Sequence, residues 1–330
     1  MVAGAGHNSL VCAAYLAKAG HRVLVLEGRP TIGGGTKTAE VCLPGFKEDL
    51  CSSVHGGISR NPLVMNNELP LRDYGYGEYI DSDPVMHVPF LDGPYITVYR
   101  DLDRTCETIA RFSKKDAEMF RRMCNEYKTY AAAEESNRRE PKTPAPKIPK
   151  AGVWQRRFAM SGYDLVCQLF ESEYMRRGSL TCGHFGSVPG GRQNTGAQAY
   201  SMVVQQLNGR PIPKGGSGTL AVALGRFIEA HNGVVLTSKP VAELLIENKK
   251  CAGVRCLDGT AYHADKGVVS TLHIKHLVNM APRELWGDDF LEGVEMFRPE
   301  HAMISLHYAM SEAPKYPIAN GGTITTCGIC

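Results

Sequence analysis

The sequence predicts an α/β fold in which one domain has a parallel sheet packed against helices and a second domain is mixed α+β. Three observations predict it. Residues 1–27 have the pattern strand, glycine turn, helix, strand. A second helix-and-strand segment runs from about residue 212 to 276. The region between them combines a strand pair, amphipathic helices and a proline-rich stretch, which is typical of a separate α+β domain.

The first element is a βαβ unit. Met1–Ala3 would end a strand, and the turn that follows reads GAGHNS from Gly4. Apolar residues then recur at helical spacing up to Ala17, and Gly20 suits a C-terminal cap. The run HRVLVLE ends at Glu27 and is typical of a buried parallel strand.

This unit suits a dinucleotide. Gly4 permits a tight turn, Gly6 lets a pyrophosphate approach the backbone, and the helix N-terminus offers free N–H groups to the phosphates. Glu27 can accept both ribose hydroxyls and would repel a 2′-phosphate, so NADP is disfavoured. Ser9 stands where the fingerprint has its third glycine. The alternative is a glycine turn without a ligand, which any doubly wound protein can have.

A second glycine run, R-x-x-x-G-G, follows from Arg29 to Gly34. A nicotinamide site has no need of it. A flavin does, because the chain must pass close to the pyrophosphate and ribityl groups and leave the ring uncovered. The sequence therefore favours a Rossmann-type domain that binds FAD.

At this point the chain resembles the phytoene desaturase-like FAD-dependent oxidoreductases, including the branch named for a pyridine nucleotide-disulphide oxidoreductase domain. The resemblance is carried by GAGHNSL, VLVLEGRPTIGG, LPGF, PKGGSGTLAVAL, VAELLIENKKCAGVRCLDG and GVVST, in the family's order. It implies a glutathione reductase/amine oxidase-like FAD domain and hydride transfer from a hydrophobic substrate to flavin N5. The electron acceptor stays open between oxygen, quinone and nicotinamide.

The cofactor-binding residues that we expect from the motifs and the resemblance are Gly4, Gly6, His7, Asn8, Ser9, Glu27, Arg29, Gly33, Gly34, Gly35, Thr36 and Val241. His7 is expected to contribute its backbone. The strand from Val241 would meet the adenine through its backbone, as the resemblance implies. His55 is the candidate catalytic residue, because it lies among small residues soon after the flavin loop. The alternative is a hydrogen-bonded structural histidine, and His184 is a weaker candidate.

The later elements predict a discontinuous cofactor domain, residues 1–72 and 212–276. The stretch GTLAVALGRFIEAHNG predicts a helix with Gly233 past its end, and VVLT, VAELLIE and CAGVRCL predict strands. Asp258-Gly259 predicts a hairpin turn. Residues 73–211 and 277–330 would form the substrate domain, incomplete at its C-terminus.

The region 73–211 contains the run EPKTPAPKIPKAG, which neither a helix nor a central strand accommodates. Arg138, Arg139, Arg156 and Arg157 flank it, and Trp154 lies beside it. Basic residues near an aromatic anchor suit a peripheral membrane contact. The alternative, which we favour, is a solvated loop.

Composition excludes several classes of protein. The chain has 330 residues, 43% hydrophobic and 22% charged, with a net charge of +3 that is too small to indicate nucleic-acid binding. No apolar run reaches the length of about 18 residues that a membrane span needs, and no signal peptide is visible. The eleven cysteines favour a reducing compartment, such as the cytoplasm. No metal-ligand spacing occurs, and we attribute the one C-x-x-C, Cys327 to Cys330, to chance.

The resembling family has more residues before the first glycine and a long continuation after residue 330. We therefore expect a truncated product, a fragment or a subunit that another chain completes, with reduced stability and FAD retention. Two further functions stay open. One is a lipid- or prenyl-binding protein without redox activity, like the GDP dissociation inhibitors, and the other is an inactive fragment. Glu27 and the second glycine run argue against the first.

Overall fold

A computed structural model describes residues 1–139, 148–183, 189–299, 304–312, 316–317 and 323–324. The chain divides into two compact units. The first consists of Met1–Ile80, Pro211–Pro299 and Ile304–Ala309, and the second contains the described residues between Asp81 and Arg210. The division into a cofactor domain and a substrate domain stays a prediction, because compactness does not assign a role to either unit.

The helices are, in chain order, α1 His7–Lys18, α2 Pro62–Met65, α3 Leu102–Ala110, α4 Lys114–Arg139, α5 Ala151–Ala159, α6 Gly162–Leu169, α7 Glu173–Gly183, α8 Ser201–Asn208, α9 Gly218–Ala230, α10 Ile274–Leu277 and α11 Asp288–Met296. In the part of the chain that the structure describes, none of them is both long and apolar enough to cross a bilayer.

The strands are β1 Val2–Ala3, β2 Leu24–Leu26, β3 Thr38–Ala39, β4 Glu48–Asp49, β5 Tyr79–Ile80, β6 Met86–Pro89, β7 Tyr95–Val98, β8 Ile212–Pro213, β9 Val234–Leu236, β10 Val241–Glu247, β11 Lys250–Cys256, β12 Ala261–His263, β13 Val269–Ser270, β14 Tyr316–Pro317 and β15 Thr323–Ile324.

The first unit is built on a parallel sheet with the strand order β13-β1-β2-β9. Val2 pairs with Val25 on one side and with Val269 on the other. The first two of these side chains are fully buried, as expected of inner parallel strands. The predicted α/β fold with a parallel sheet is confirmed. The strand predicted over residues 21–27 is shorter, because only Leu24–Leu26 pair with both neighbours.

Helices α1 and α9 pack against each other in the first unit. The apolar positions that predicted them are buried in one core, namely Leu10, Ala13, Ala14, Ala17, Leu220, Leu224 and Phe227. Both helix predictions are therefore confirmed. The end of α9 differs from the prediction: the left-handed residue is Asn232, with φ +62°, and not Gly233. A Cβ on Gly233 would lie 2.4 Å from Cγ2 of Ile228, so this glycine is needed for close packing.

Strands β10, β11 and β12 form a separate antiparallel sheet in the first unit. β11 and β12 are joined by the turn at Asp258-Gly259, and Gly259 has φ +82°. The hairpin predicted from this dipeptide is confirmed. The sheet encloses a small core around Leu244 and Val254.

The second unit is mixed α+β, as predicted, with the hairpin β6–β7 beside helices α3–α8. Trp154 is only 4% exposed and packs in an aromatic cluster that includes Tyr130 and Tyr200. Arg157 lies over its ring and donates to Glu126 at 3.1 Å. The interpretation of Trp154 as a membrane anchor is therefore wrong, because a buried ring cannot reach a lipid surface.

Several sequence-based predictions fall outside the described residues. They are the proline-rich stretch over residues 140–147, the side chains of Arg138 and Arg139, His184, and the pair Cys327 and Cys330.

Candidate functional site

The turn from β1 to α1 presents the free N-terminus of a helix. Gly4 has φ +98°, and its amide donates to the carbonyl oxygen of Leu26 at 2.8 Å. α1 begins at His7, and within the described chain no side chain caps it at Gly6. Its first N–H groups are therefore available to an anion, and the positive end of the helix dipole favours one. This geometry suits a pyrophosphate, although contact with one stays a prediction.

The second glycine run lies directly against this turn. Gly33 and Gly34 have φ +118° and +57°. A Cβ on Gly33 would lie 2.3 Å from the carbonyl oxygen of Thr36, and one on Gly34 would lie 3.0 Å from Cα of Gly6. Neither position accepts a side chain. A Cβ on Gly6 or on Gly35, in contrast, would meet no described atom within 4 Å. The two loops therefore touch through their backbones and leave an open side for a ligand.

Glu27 is held beside the same turn by two backbone amides. The Ala5 amide donates to Oε2 at 2.8 Å, and the Arg29 amide donates to Oε1 at 3.0 Å. Each carboxylate oxygen keeps a further lone pair, since an ionised carboxylate can accept about four hydrogen bonds. The carboxylate is thus oriented and can still accept the two hydroxyls of a ribose.

The third position of the fingerprint gains a bond that the sequence reasoning missed. Ser9 is fully buried, and its hydroxyl hydrogen-bonds that of Thr271, which follows β13. Serine therefore joins the helix to the sheet where a glycine would only fit closely. Thr271 could have been found from the GVVST motif, but nothing local to that motif indicates which hydroxyl faces it.

The other predicted cofactor residues differ in what they offer. Asn8 is exposed at the start of α1. The Thr36 hydroxyl is buried and donates to the carbonyl oxygen of Gly33 at 2.9 Å, so it stabilises the loop itself. Val241 begins β10 and pairs with Cys256. Its proposed backbone contact with an adenine stays a prediction.

His7 contributes more than the backbone that the sequence suggested. Its Nδ1 atom is buried and, among the described residues, has no hydrogen-bond partner. An unsatisfied buried polar atom costs about 1–3 kcal/mol. A ligand at this turn could satisfy it, so the imidazole joins the helix N-terminus as a group that fits a polar cofactor.

His55 is fully engaged with protein. It is 1% exposed, its Nδ1 lies 2.9 Å from the hydroxyl oxygen of Tyr76, and its Nε2 lies 2.7 Å from Oγ of Ser217. Burial lowers the pKa of His55, opposed by the charge of Asp49 and reinforced by His7. The ring is therefore neutral near pH 7, with one donor and one acceptor, and both are used. This geometry favours the structural interpretation of His55 over that of a catalytic base.

Two clefts of the first unit lie elsewhere. One, of about 790 Å³, is bordered by Ile32, Lys37 and the outer face of α9. The other, of about 840 Å³, lies at the N-terminal ends of the parallel strands around Arg22. Neither is lined by Glu27 or by residues 4–9. The glycine loops and the carboxylate, rather than the size of a cleft, identify the candidate site.

Comparison with known proteins agrees with this geometry. Residues 10–298 match the protein family described as flavin containing amine oxidoreductase. One of the two kinds of subunit of limonene dehydrogenase from Castellaniella defragrans is 36% identical over 132 residues, which is 39% of this chain and 22% of that protein. Pyridine nucleotide-disulfide oxidoreductase domain-containing protein 2 of Rattus norvegicus is 23% identical over 97% of this chain and 61% of its own length. The chain thus spans less than two thirds of the length of these relatives.

Solved structures share the fold. A Pyrococcus furiosus protein matches with a TM-score of 0.60 at 22% identity, over 90% of this chain and 65% of that one. A Rab GDI from Plasmodium falciparum matches with a TM-score of 0.50 at 15% identity, over 82% of this chain and 64% of that one. At these identities the likeness concerns the fold alone.

Proposed function

Because this chain belongs to the flavin-containing amine oxidoreductase family, its cofactor is FAD, and we propose that it is an FAD-dependent oxidoreductase that takes a hydride from a hydrophobic substrate. The family confirms the resemblance found in the sequence. The observation that carries the proposal is the juxtaposition of the two glycine loops with the oriented Glu27 carboxylate. A protein without a dinucleotide would gain nothing from that arrangement.

Each part of the site has a separate task in binding. The N-terminus of α1 would hold the pyrophosphate through backbone N–H groups, with the Nδ1 atom of His7 nearby. Glu27 would accept the ribose hydroxyls. The loop at Gly33 and Gly34 would keep side chains away from the pyrophosphate and ribityl groups, because no Cβ fits at either residue.

Bound FAD supplies the redox chemistry by accepting a hydride at N5. The residues of this chain bind, orient and support. Ala5 and Arg29 hold the Glu27 carboxylate with their amides, so its oxygens face the ligand without reorganising. Ser9 and Thr271 fix the helix to the sheet from behind. A site that is organised before binding spends less affinity on ordering its own groups.

We propose a small hydrophobic substrate in which a C–H bond is oxidised. The support is the name of one relative, a limonene dehydrogenase, together with the family's flavin. A dehydrogenation removes two hydrogens from the substrate, one as a hydride to the flavin and one as a proton.

The test is anaerobic reduction of the bound flavin. Protein loaded with FAD is mixed with alkenes, alcohols and polyenes, and the visible absorbance of the flavin is followed. The proposal predicts bleaching by at least one of these compounds, and none by their already oxidised products. Protein that binds FAD and is bleached by dithionite, but by no member of the panel, would contradict a hydrophobic hydride donor.

The second candidate is a lipid-binding protein without redox activity, which the Rab GDI likeness in fold favours. It predicts a folded protein that binds a prenylated peptide and takes up no FAD. Glu27 and the backbone contact between Gly6 and Gly34 support the oxidoreductase instead.

We propose that the protein works in a reducing compartment, such as the cytoplasm, and does not bind nucleic acid. The support is that the nine cysteines within the described ranges are free thiols, together with a net charge of only +3. A membrane contact would have to use side chains other than Trp154.

A further inference from the structure

His55 links three segments that are far apart in the sequence. Its ring bonds to Tyr76 on one side and to Ser217 on the other, and its amide donates to the carbonyl oxygen of Pro211 at 2.9 Å. The amide of Ser217 in turn donates to Oδ1 of Asp49 at 2.8 Å. These groups form a continuous hydrogen-bonded chain inside the first unit.

The direction of the hydrogen bonds in this chain is set by a tyrosine pair. The Tyr79 hydroxyl donates to the Tyr76 hydroxyl oxygen at 2.9 Å, which leaves the proton of Tyr76 for Nδ1 of His55. Nε2 must then carry the proton of the neutral ring and donate it to Oγ of Ser217. The imidazole is therefore fixed in one tautomer, and its orientation sets the position of the Ser217 side chain.

Ser217 immediately precedes α9, at a turn with little freedom. Gly215 and Gly216 have φ +85° and +92°. A Cβ on Gly216 would lie 2.4 Å from Oγ1 of Thr38 and 2.8 Å from Oδ1 of Asp49. The Gly218 amide, the first of α9, donates to the same Thr38 hydroxyl at 2.8 Å. The start of α9 is thus held by His55 on one side and by the β3–β4 hairpin on the other.

α9 in turn supports the second glycine loop. A Cβ on Gly33 would lie 3.2 Å from Cβ of Ala221, and one on Gly225 would lie 3.1 Å from Cδ1 of Ile32. The helix and the loop are therefore in close contact at two successive turns of α9. A shift of the helix start would be felt at Gly33, and through the next glycine at Gly6.

We propose that His55 is a positioning residue: acting through Ser217, it fixes the start of α9 and so holds the second glycine loop in the shape that binds FAD. This inference rests on the proposed function. It gives His55 a role in the site although the residue does not face a ligand.

The test compares matched substitutions of two buried histidines. His55→Leu removes both ring hydrogen bonds with little change in volume, His55→Gln restores one donor and one acceptor, and Ser217→Ala removes only the hydroxyl. The control is His87→Leu. His87 is also 1% exposed and bonds to a hydroxyl, that of Thr97 at 2.9 Å, but it lies in the second unit. For each protein we measure the dissociation constant for FAD and the visible circular dichroism of the bound flavin.

We expect His55→Leu and Ser217→Ala to weaken FAD binding about ten-fold, which corresponds to about 1.4 kcal/mol, and to change the flavin dichroism. His55→Gln should recover part of the affinity. The double variant should bind no more weakly than His55→Leu, because both changes break the same link. His87→Leu should lower the melting temperature and leave both flavin measurements unchanged.

Two results would overturn the inference separately from the proposed function. If the unchanged protein binds FAD and Ser217→Ala and His55→Leu bind it equally well, His55 has only a structural role and the proposed function stands. The same conclusion holds if His87→Leu weakens FAD binding as much as His55→Leu does. If the folded, unchanged protein takes up no FAD, both the inference and the proposed function are wrong.

Discussion

Replacing Gly6 by alanine separates the fold from the cofactor site. Gly6 has φ −66° and ψ 163°, which alanine adopts without strain. Its Cβ would meet no described atom within 4 Å. We therefore expect the free energy of unfolding of the apoprotein to change by no more than about 0.5 kcal/mol, as for a substitution that creates no clash or cavity.

The same methyl group would stand on the open side of the turn, in front of the first N–H groups of α1. A pyrophosphate could then not approach all of them. Losing one charge-assisted hydrogen bond costs about 1.5–3 kcal/mol. At about 1.4 kcal/mol per decade, FAD binding should weaken about ten- to one-hundred-fold.

The assay combines a thermal melt of the apoprotein with an FAD titration followed by flavin fluorescence. Two glycines give matched comparisons. Gly33→Ala should reduce both stability and FAD binding, because its Cβ would lie 2.3 Å from a carbonyl oxygen. Gly293→Ala, at an equally open position in α11, should change neither appreciably. The reasoning is refuted if Gly6→Ala binds FAD as tightly as the unchanged protein, or destabilises the apoprotein as much as Gly33→Ala.

Three further predictions concern single side chains. Glu27→Ala should weaken FAD binding about ten- to one-hundred-fold by calorimetric titration, since it removes a charged acceptor worth about 1.5–3 kcal/mol; unchanged affinity would exclude Glu27 from the site. Burial lowers the pKa of both His55 and His87, so below about pH 6.5 the unfolded state binds protons that the folded state does not. Stability should then fall with pH by at most about 1.4 kcal/mol per unit for each histidine, and denaturant titrations should show a shallower fall in His87→Leu; identical slopes would contradict this. Asp116→Ala should destabilise the second unit by about 2–5 kcal/mol, because the buried carboxylate accepts the amides of Glu171 and Ser172 at 2.9 and 2.8 Å; a loss below about 1 kcal/mol in urea unfolding would show that water replaces it.

The features that the sequence predicted correctly are those set by local chemistry. The positive φ of Gly4 and of Gly259 follows from turns that only glycine makes easily. Helix α9 follows from apolar residues at a spacing that only a helix brings onto one face, as the burial of Leu224 and Phe227 shows. Glu27 was predicted because a βαβ unit places the end of its second strand beside the first turn.

The features that the sequence did not predict depend on which distant groups meet. The Ser9–Thr271 bond joins residues 262 apart, and the His55–Ser217 bond joins residues 162 apart. No local pattern marks either pair, because a hydroxyl is equally suited to solvent and to a buried partner. Trp154 was misinterpreted for the same reason: a tryptophan beside basic residues suits a surface anchor, and only the packing of α5 in the aromatic cluster shows that it is buried.

The most direct test of the account is the FAD content of the folded protein. Purified protein is incubated with FAD, freed of excess cofactor and denatured, and the flavin released into the supernatant is quantified against protein. The account predicts non-covalent binding at close to one FAD per chain, and a large reduction in the Gly6→Ala and Glu27→Ala variants. A protein that melts cooperatively and yet releases no FAD, or that retains it equally in both variants, would contradict the assignment of the two glycine loops and Glu27 as the cofactor site.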